Sequence, residues 1–166
     1  MPEINFSALH EPFEIYDIEW RVQQAGKSGE KIWARVLAYI QARAIQNRLD
    51  TVVGPHRWQV KYRPMGNGII CEIGIMVQPG LWVWKEDGAE QTEIESFKGG
   101  ISSAMKRAAV LWGVGRYLYD LDAGFAQIVP RGTEGARFAR DKNIGDFYWV
   151  PPKLPDWALP KKKERS

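Results

Sequence analysis

Residues 58–87 hold three apolar runs in close succession, WQVKYRP, GIICEIGIMV and LWVWKED, separated only by turn-forming clusters. The first alternates, with Trp58, Val60 and Tyr62 on one side and Gln59, Lys61 and Arg63 on the other. The second is almost wholly apolar and reads as a central strand, entered through the turn Met65-Gly66-Asn67-Gly68. The third is expected to end where Asp87-Gly88 opens a turn toward QTEIES. Strands this close in sequence pair antiparallel, and the apolar face they create needs a cover.

The cover follows at once. Ile101, Ala104, Met105, Ala108 and Trp112 recur at helical spacing and form one stripe. Ser96 is placed to cap this helix, with Glu93 and Glu95 near its positive end. Lys106 and Arg107 fall off the stripe, on the flank and back. Gly113 and Gly115 have two readings, a C-terminal helix break or a close backbone approach. Upstream, EWRVQQAGKSGEKIWARVLAYI reads as a β-hairpin turning at GKSGEK. In the stretch after it, Ile45, Leu49 and Val52 share a helical face and Gly54-Pro55 stops the helix near Val53. The order β-β-α, then β-β-β-α, predicts an α+β fold: an antiparallel sheet packed on a long helix, preceded by a hairpin and helix. Residues 1–125 form the expected core domain. Residues 126–166, with PRGTEGARFARDKNIGD and VPPKLPDWALPKKKERS, read as an extended, proline-containing and basic tail.

Composition narrows the function. A chain of 166 residues suits one domain. The lack of any long apolar run predicts a soluble protein of the cytoplasm. Cys71 is the single cysteine, which removes intramolecular disulfides and cysteine-built zinc sites, and His10 and His56 share no ligand spacing. Lys98-Gly99-Gly100 followed by Ser102-Ser103 has the parts of a phosphate loop in the wrong order. Glu95 and Lys98 miss by one residue the acid-x-lysine spacing of nuclease-like sites, and no nucleophile-elbow motif is present. The expectation is therefore a protein without catalytic residues, metal or cofactor.

Charge points to binding. The last six residues, KKKERS, hold four of the 23 cations and one of the 20 anions, so the chain before them carries 19 of each sign. Basicity is local. Between Phe97 and Tyr119 lie Lys98, Lys106, Arg107 and Arg116 without a carboxylate, while acids gather at 3–19 and 86–95. Lys106 and Arg107 have no acidic partner one helical turn away, and so stand out from an ordinary solvated face, which is the plainer reading for Arg48. With Lys61 and Arg63 on the first strand and Arg43 on the first helix, these cations are expected to line a groove between sheet and helices suited to a nucleic-acid backbone. Eight tryptophans could stack on bases, yet Trp58, Trp84 and Trp112 fall on predicted core faces, which favours packing for most of them.

Two passages, YIQARAIQNRLDTVVGPHRW and KGGISSAMKRAAVLWGVGRYLYDL, resemble segments of the Rad-fifty-two superfamily of single-strand annealing proteins, in its DdrA-like bacterial or phage branch. The resemblance runs from Leu9 to Leu121 and includes LPDWALP near the end. It implies a β-β-β-α core assembling into rings whose outer groove holds single-stranded DNA, with strand annealing independent of ATP, in DNA repair and recombination at the nucleoid. The family's DNA-contacting Lys-Arg pair matches Lys106 and Arg107. A basic residue of its first core helix falls at Ala44, next to Arg43; a further arginine one turn beyond the pair is Val110 here, and the eukaryotic hairpin aromatics are replaced by GIICEIG. End protection without annealing, and a protein-interaction scaffold using the acidic patches and proline-rich tail, remain as alternatives.

Overall fold

The computed structural model describes residues 1–91, 97–122 and 124–162, with Phe97 described by its backbone alone. Two short 3-10 turns lead into strands β1 (Ile18–Ser28) and β2 (Lys31–Ile40) and helix α1 (Ala42–Val53). Strands β3 (Trp58–Met65), β4 (Gly68–Gln78) and β5 (Leu81–Glu90) and helix α2 (Phe97–Leu111) follow. The fold is α+β with antiparallel sheets, in the expected element order. Ser96, Glu93 and Glu95, the expected cap and its neighbours, lie outside the described residues.

Register sorts the hairpin into two faces. Ile18, Trp20, Val22 and Ala25 of β1 stand opposite Ile40, Ala38, Val36 and Ala34 of β2 and face inward. Glu19, Arg21, Gln24 and Gly26 stand opposite Tyr39, Leu37, Arg35 and Trp33 on the other face. A bulge between Val22 and Gln24 shifts the alternation by one residue, so that Ala25 rather than Gln24 points inward. The turn begins at Gly29, whose φ of 63° is the sign a tight hairpin link requires.

In the second sheet β4 lies between β3 and β5. Its Ile69, Cys71, Ile73 and Ile75 are buried in one cluster with Ile45 and Leu49 of α1 and Ala104, Met105 and Ala108 of α2. Helix α2 lies against β4 and β5, and Trp112 Nε1 donates to the Ile73 carbonyl at 3.0 Å. Burial of a side chain such as Ile73 stabilises by about 1.5–3 kcal/mol. Helix α2 stops in a left-handed turn: Val114 N donates to Ala109 O at 3.1 Å and Gly113 N to Val110 O at 2.9 Å, with Gly113 at φ 91°. The His10 ring also lies where a Cβ on Gly113 would stand, so both readings of this glycine hold.

Three expectations need correction. Asp87-Gly88 opens no turn, because β5 runs on to Glu90 with Gly88 opposite Ile70. A Cβ on Gly88 would meet Ile70 Cδ1 at 2.6 Å, so the glycine serves cross-strand packing. Trp84 faces away from the core, lying across Gly74, where a Cβ would come within 2.7 Å of the indole; Trp58 and Trp112 do pack on the main cluster. The stretch from residue 126 is not an extended tail throughout. A short strand, β6 (Gly124–Phe125), joins β2, and β7 (Gln127–Val129), β8 (Arg137–Asp141) and β9 (Gly145–Val150) form a third sheet in the order β7-β9-β8. Phe147 and Trp149 of β9 bury themselves against Ala34 and Val36 of the hairpin as a second core. In LPDWALP, Ala158 is fully buried and Leu154 packs on the main cluster.

Candidate nucleic-acid interface

Neighbouring positions on a helix point about 100° apart, so Lys106 and Arg107 leave α2 in different directions. Lys106 reaches toward the hairpin, its Nζ 6.0 Å from the centre of the Tyr39 ring. Arg107 leans over β5, its Nε 3.5 Å from Asp87 Oδ1, with the two side chains 54% and 35% exposed. The carboxylate that the local sequence does not supply to Arg107 thus comes from another strand. An ion pair this long and this wet is worth at most about 1 kcal/mol, so a phosphate oxygen can displace it.

Lys106 lines a groove of about 660 Å³. One wall is β2 from Val36 to Ile40; the other walls are Val110 of α2, Tyr119 beyond it, and Lys153 and Trp157 of the C-terminal segment. Past Val36, β2 keeps β1 on one side and has no partner strand on the other among the described residues. Asp120 and Asp122 also line the groove, offsetting Lys106 and Lys153. Tyr119 is 70% and Trp157 53% exposed. Tyr39, Tyr119, Lys153 and Trp157 are absent from the sequence-derived site. Only Tyr39 left a signal, the alternation of Trp33, Arg35, Leu37 and Tyr39 along one face of its strand.

The remaining expected residues do not converge on one groove. Lys61 and Arg63 project from the face of the second sheet opposite to α2, because Trp58, Val60 and Tyr62 take the inner face. Lys61 Nζ sits 4.0 Å above the Trp84 ring. Arg63 Nη2 donates to both carboxylate oxygens of Glu86, at 3.1 and 2.9 Å. Arg116 turns back onto the end of α2 and donates to Val110 O at 2.7 Å and Leu111 O at 3.2 Å, while Lys85 Nζ also donates to Leu111 O at 3.0 Å. Cations there meet the negative end of the helix dipole and its orphan carbonyls. Arg43 is exposed in the first turn of α1, and Lys98 is exposed in the first turn of α2, about 12 Å along the axis from Lys106.

Arg48 has a structural task. It donates to the carbonyls of Ala8, Leu9, Glu11 and Pro12 and lies 3.9 Å over the Phe13 ring. Burial pulls its pKa down, partly countered by Glu11. On the inner face of the second sheet, burial pushes the Cys71 thiol up to about 11 and the Tyr62 hydroxyl up to about 12, and the two groups share a hydrogen bond. A buried thiol kept neutral is an inert core residue.

The description of the Rad52/22 family of double-strand break repair proteins matches residues 5–136. A single-stranded DNA-binding protein DdrA of Deinococcus radiodurans is 34% identical over 154 residues, 92% of this chain and 66% of the relative. Its namesake in Deinococcus deserti is 30% identical over 161 residues, 92% of this chain and 68% of the relative. The chain thus spans about two thirds of the length of these curated relatives. From the extent of the family match and the identity along nearly the whole chain, it belongs to the Rad52/22 family of double-strand break repair proteins.

Proposed function

We propose that this chain binds single-stranded DNA and anneals complementary strands during double-strand break repair and recombination, without nucleotide hydrolysis. The observation that carries this reading is the position of Lys106, in the wall of an open groove edged by Tyr39 and by the exposed rings of Tyr119 and Trp157. The names of the Deinococcus relatives support it.

The mechanism is physical. Lys106 and Arg107 neutralise phosphates and hold a strand extended while its bases stay free to find complements, with Arg43 and Lys98 as flanking contacts. Each neutralised phosphate releases roughly 0.7 of a counterion from a single strand, which makes binding steeply salt-dependent. Copies of the chain, assembled in a ring, repeat these weak contacts and raise affinity through multivalency. Lys61 and Arg63 take a lesser share because they stand on the sheet face opposite α2, and Arg116 because it is turned back onto the last carbonyls of that helix. Residues 1–125 carry the cations assigned to DNA, Lys153 and Trp157 complete a wall of the groove, and the third sheet braces the hairpin from behind.

The decisive experiment pairs a gel shift on a labelled oligonucleotide with a fluorescence annealing assay lacking ATP. The wild-type chain shifts the oligonucleotide and speeds annealing, and Lys106→Ala with Arg107→Ala loses both while keeping its circular dichroism spectrum. Normal binding by that double variant overturns the assigned site. Binding without faster annealing marks an end-protecting protein. Salt-insensitive capture of a protein partner, with no shift, marks a scaffold.

A further inference from the structure

Charge alone does not account for the groove beside Lys106. Among the described residues its charged lining is Lys106, Lys153, Asp120 and Asp122, two of each sign. What the lining has in excess is apolar surface, from Trp20, Val36, Val110 and Leu118, and the open rings of Tyr119 and Trp157. A groove that is apolar and neutral on balance suits flat, weakly polar groups better than a row of phosphates. Nucleobases are such groups.

The C-terminal wall is a stiff strap, residues 151–160, which holds Pro151, Pro152, Pro155 and Pro160. Each proline fixes its own φ, so little backbone freedom is left in the strap. Packing fixes it further. Trp149, just before it, is buried in the second core, Leu154 packs on the main cluster, and Ala158 is fully buried. Trp157 stands in a single 3-10 turn, Asp156–Ala158. Hydrogen bonds from Ala158 N to Pro155 O at 2.9 Å and from Leu159 N to Asp156 O at 3.1 Å close that turn.

The indole of Trp157 is thus held out by a pinned backbone. It makes no hydrogen bond, ring stack or cation–ring contact among the described residues. Lys153, four positions earlier on the strap, is exposed and has no ion pair among them. A rigid ring without an internal partner loses little freedom when a flat ligand lies on it, which is what a base-stacking platform requires. The strap also lies beyond the family match over residues 5–136, so these side chains are not part of the matched segment.

We propose that the C-terminal strap is a nucleobase-binding wall of the single-strand path, with Trp157 stacking on one base and Lys153 contacting a neighbouring phosphate. The proposal rests on the reading of Lys106 as part of the DNA site and names what holds the strand at another wall of the same groove. One base set aside on each chain fixes the register of the strand there and leaves the bases between copies free to pair.

Two fluorescein-labelled thirty-nucleotide probes test it by anisotropy with the full chain: oligo(dT), and an abasic oligomer with the same backbone. Trp157→Leu is expected to weaken oligo(dT) binding about fivefold or more, as loss of one base stack does, and to leave binding of the abasic oligomer unchanged. Trp157→Phe, which keeps a ring, should recover most of the loss. Lys153→Gln is expected to flatten the slope of log affinity against log salt by about 0.7, one phosphate of a single strand. Wild-type affinity for oligo(dT) in Trp157→Leu, or a wild-type slope in Lys153→Gln, overturns the proposal; either variant suffices if the other does not fold. Equal losses on the two probes, or a changed oligomer mass, assign Trp157 to the fold or to contacts between copies and overturn it too. A wild-type chain that never binds oligo(dT) sinks the underlying reading as well, whereas loss confined to Lys106→Ala with Arg107→Ala sinks only the strap.

Discussion

Two cation pairs, Lys106 with Arg107 on α2 and Lys61 with Arg63 on β3, look equivalent in the sequence and occupy opposite sides of one sheet in the fold. On β3, the cross-strand neighbours across β4 supply what the cations need. Arg63 reaches Glu86 with two short contacts, and Lys61 rests on Trp84. On α2, Lys106 borders the groove and Arg107 holds Asp87 through one long contact. Basic residues with near, well-aligned partners are part of the scaffold's own surface. Arg107, held by one long and solvent-exposed contact, gives up its partner to a ligand at little cost.

The largest expected effect breaks the comparison if it fails. Removing both α2 cations should weaken oligonucleotide binding about a hundredfold, from two charge-assisted contacts of about 1.5 kcal/mol each. Lys61→Ala with Arg63→Ala should cost less than about threefold, because exposed, internally satisfied charges contribute little. Equal losses in anisotropy titrations would put both sides of the sheet in contact with DNA. Asp87→Asn sharpens the contrast: with Arg107 released, binding should tighten by up to about threefold at low salt and by less as salt screens the surface.

The smallest effect concerns the sheet's inner face. Cys71 has a folded-state pKa of about 11 against an ordinary 9.0, and Tyr62 about 12 against 10.0. Both shifts favour the neutral group in the fold, so their contribution is intact below pH 9.0 and is lost as pH rises toward 11 and 12. Thermal melts should show a Tm that is level with respect to these groups below that point and declines above it. Cys71→Ala should remove the part of the decline between pH 9 and 11. An identical alkaline decline in both proteins would mean that burial of this thiol carries no such linkage.

Most of the architecture could be read from periodicity. Alternation in WQVKYRP and the apolar run of GIICEIGIMV placed β3 and β4, and the stripe from Ile101 to Trp112 placed α2. What escaped was partnership across strands. Gly88 resembles a turn residue until Ile70 is seen opposite it, and Trp84 resembles core until its indole is found lying over Gly74. The third sheet was hidden for a related reason. Its strands have three, five and six residues, too short for a period to declare itself between glycine and proline punctuation. Of the candidate site, the Lys106–Arg107 pair could be singled out because one helix carries it, whereas the groove walls at Tyr39, Tyr119 and Trp157 could not, because separate segments meet there.

The bracing of the hairpin by β9 has a practical side. The family match ends at residue 136, one position before β8 begins, so the matched segment and the folding unit do not share a boundary. A chain shortened to that point would keep β7 without the strand it pairs with, and would uncover Ala34 and Val36 on the back of the ribbon. Exposed apolar backing on a long two-stranded arm invites aggregation. Shortened versions should therefore fail by precipitation with Lys106 and Arg107 still on α2, and they would also lack the groove wall that Lys153 and Trp157 supply, so their failure would not isolate the part played by the two cations.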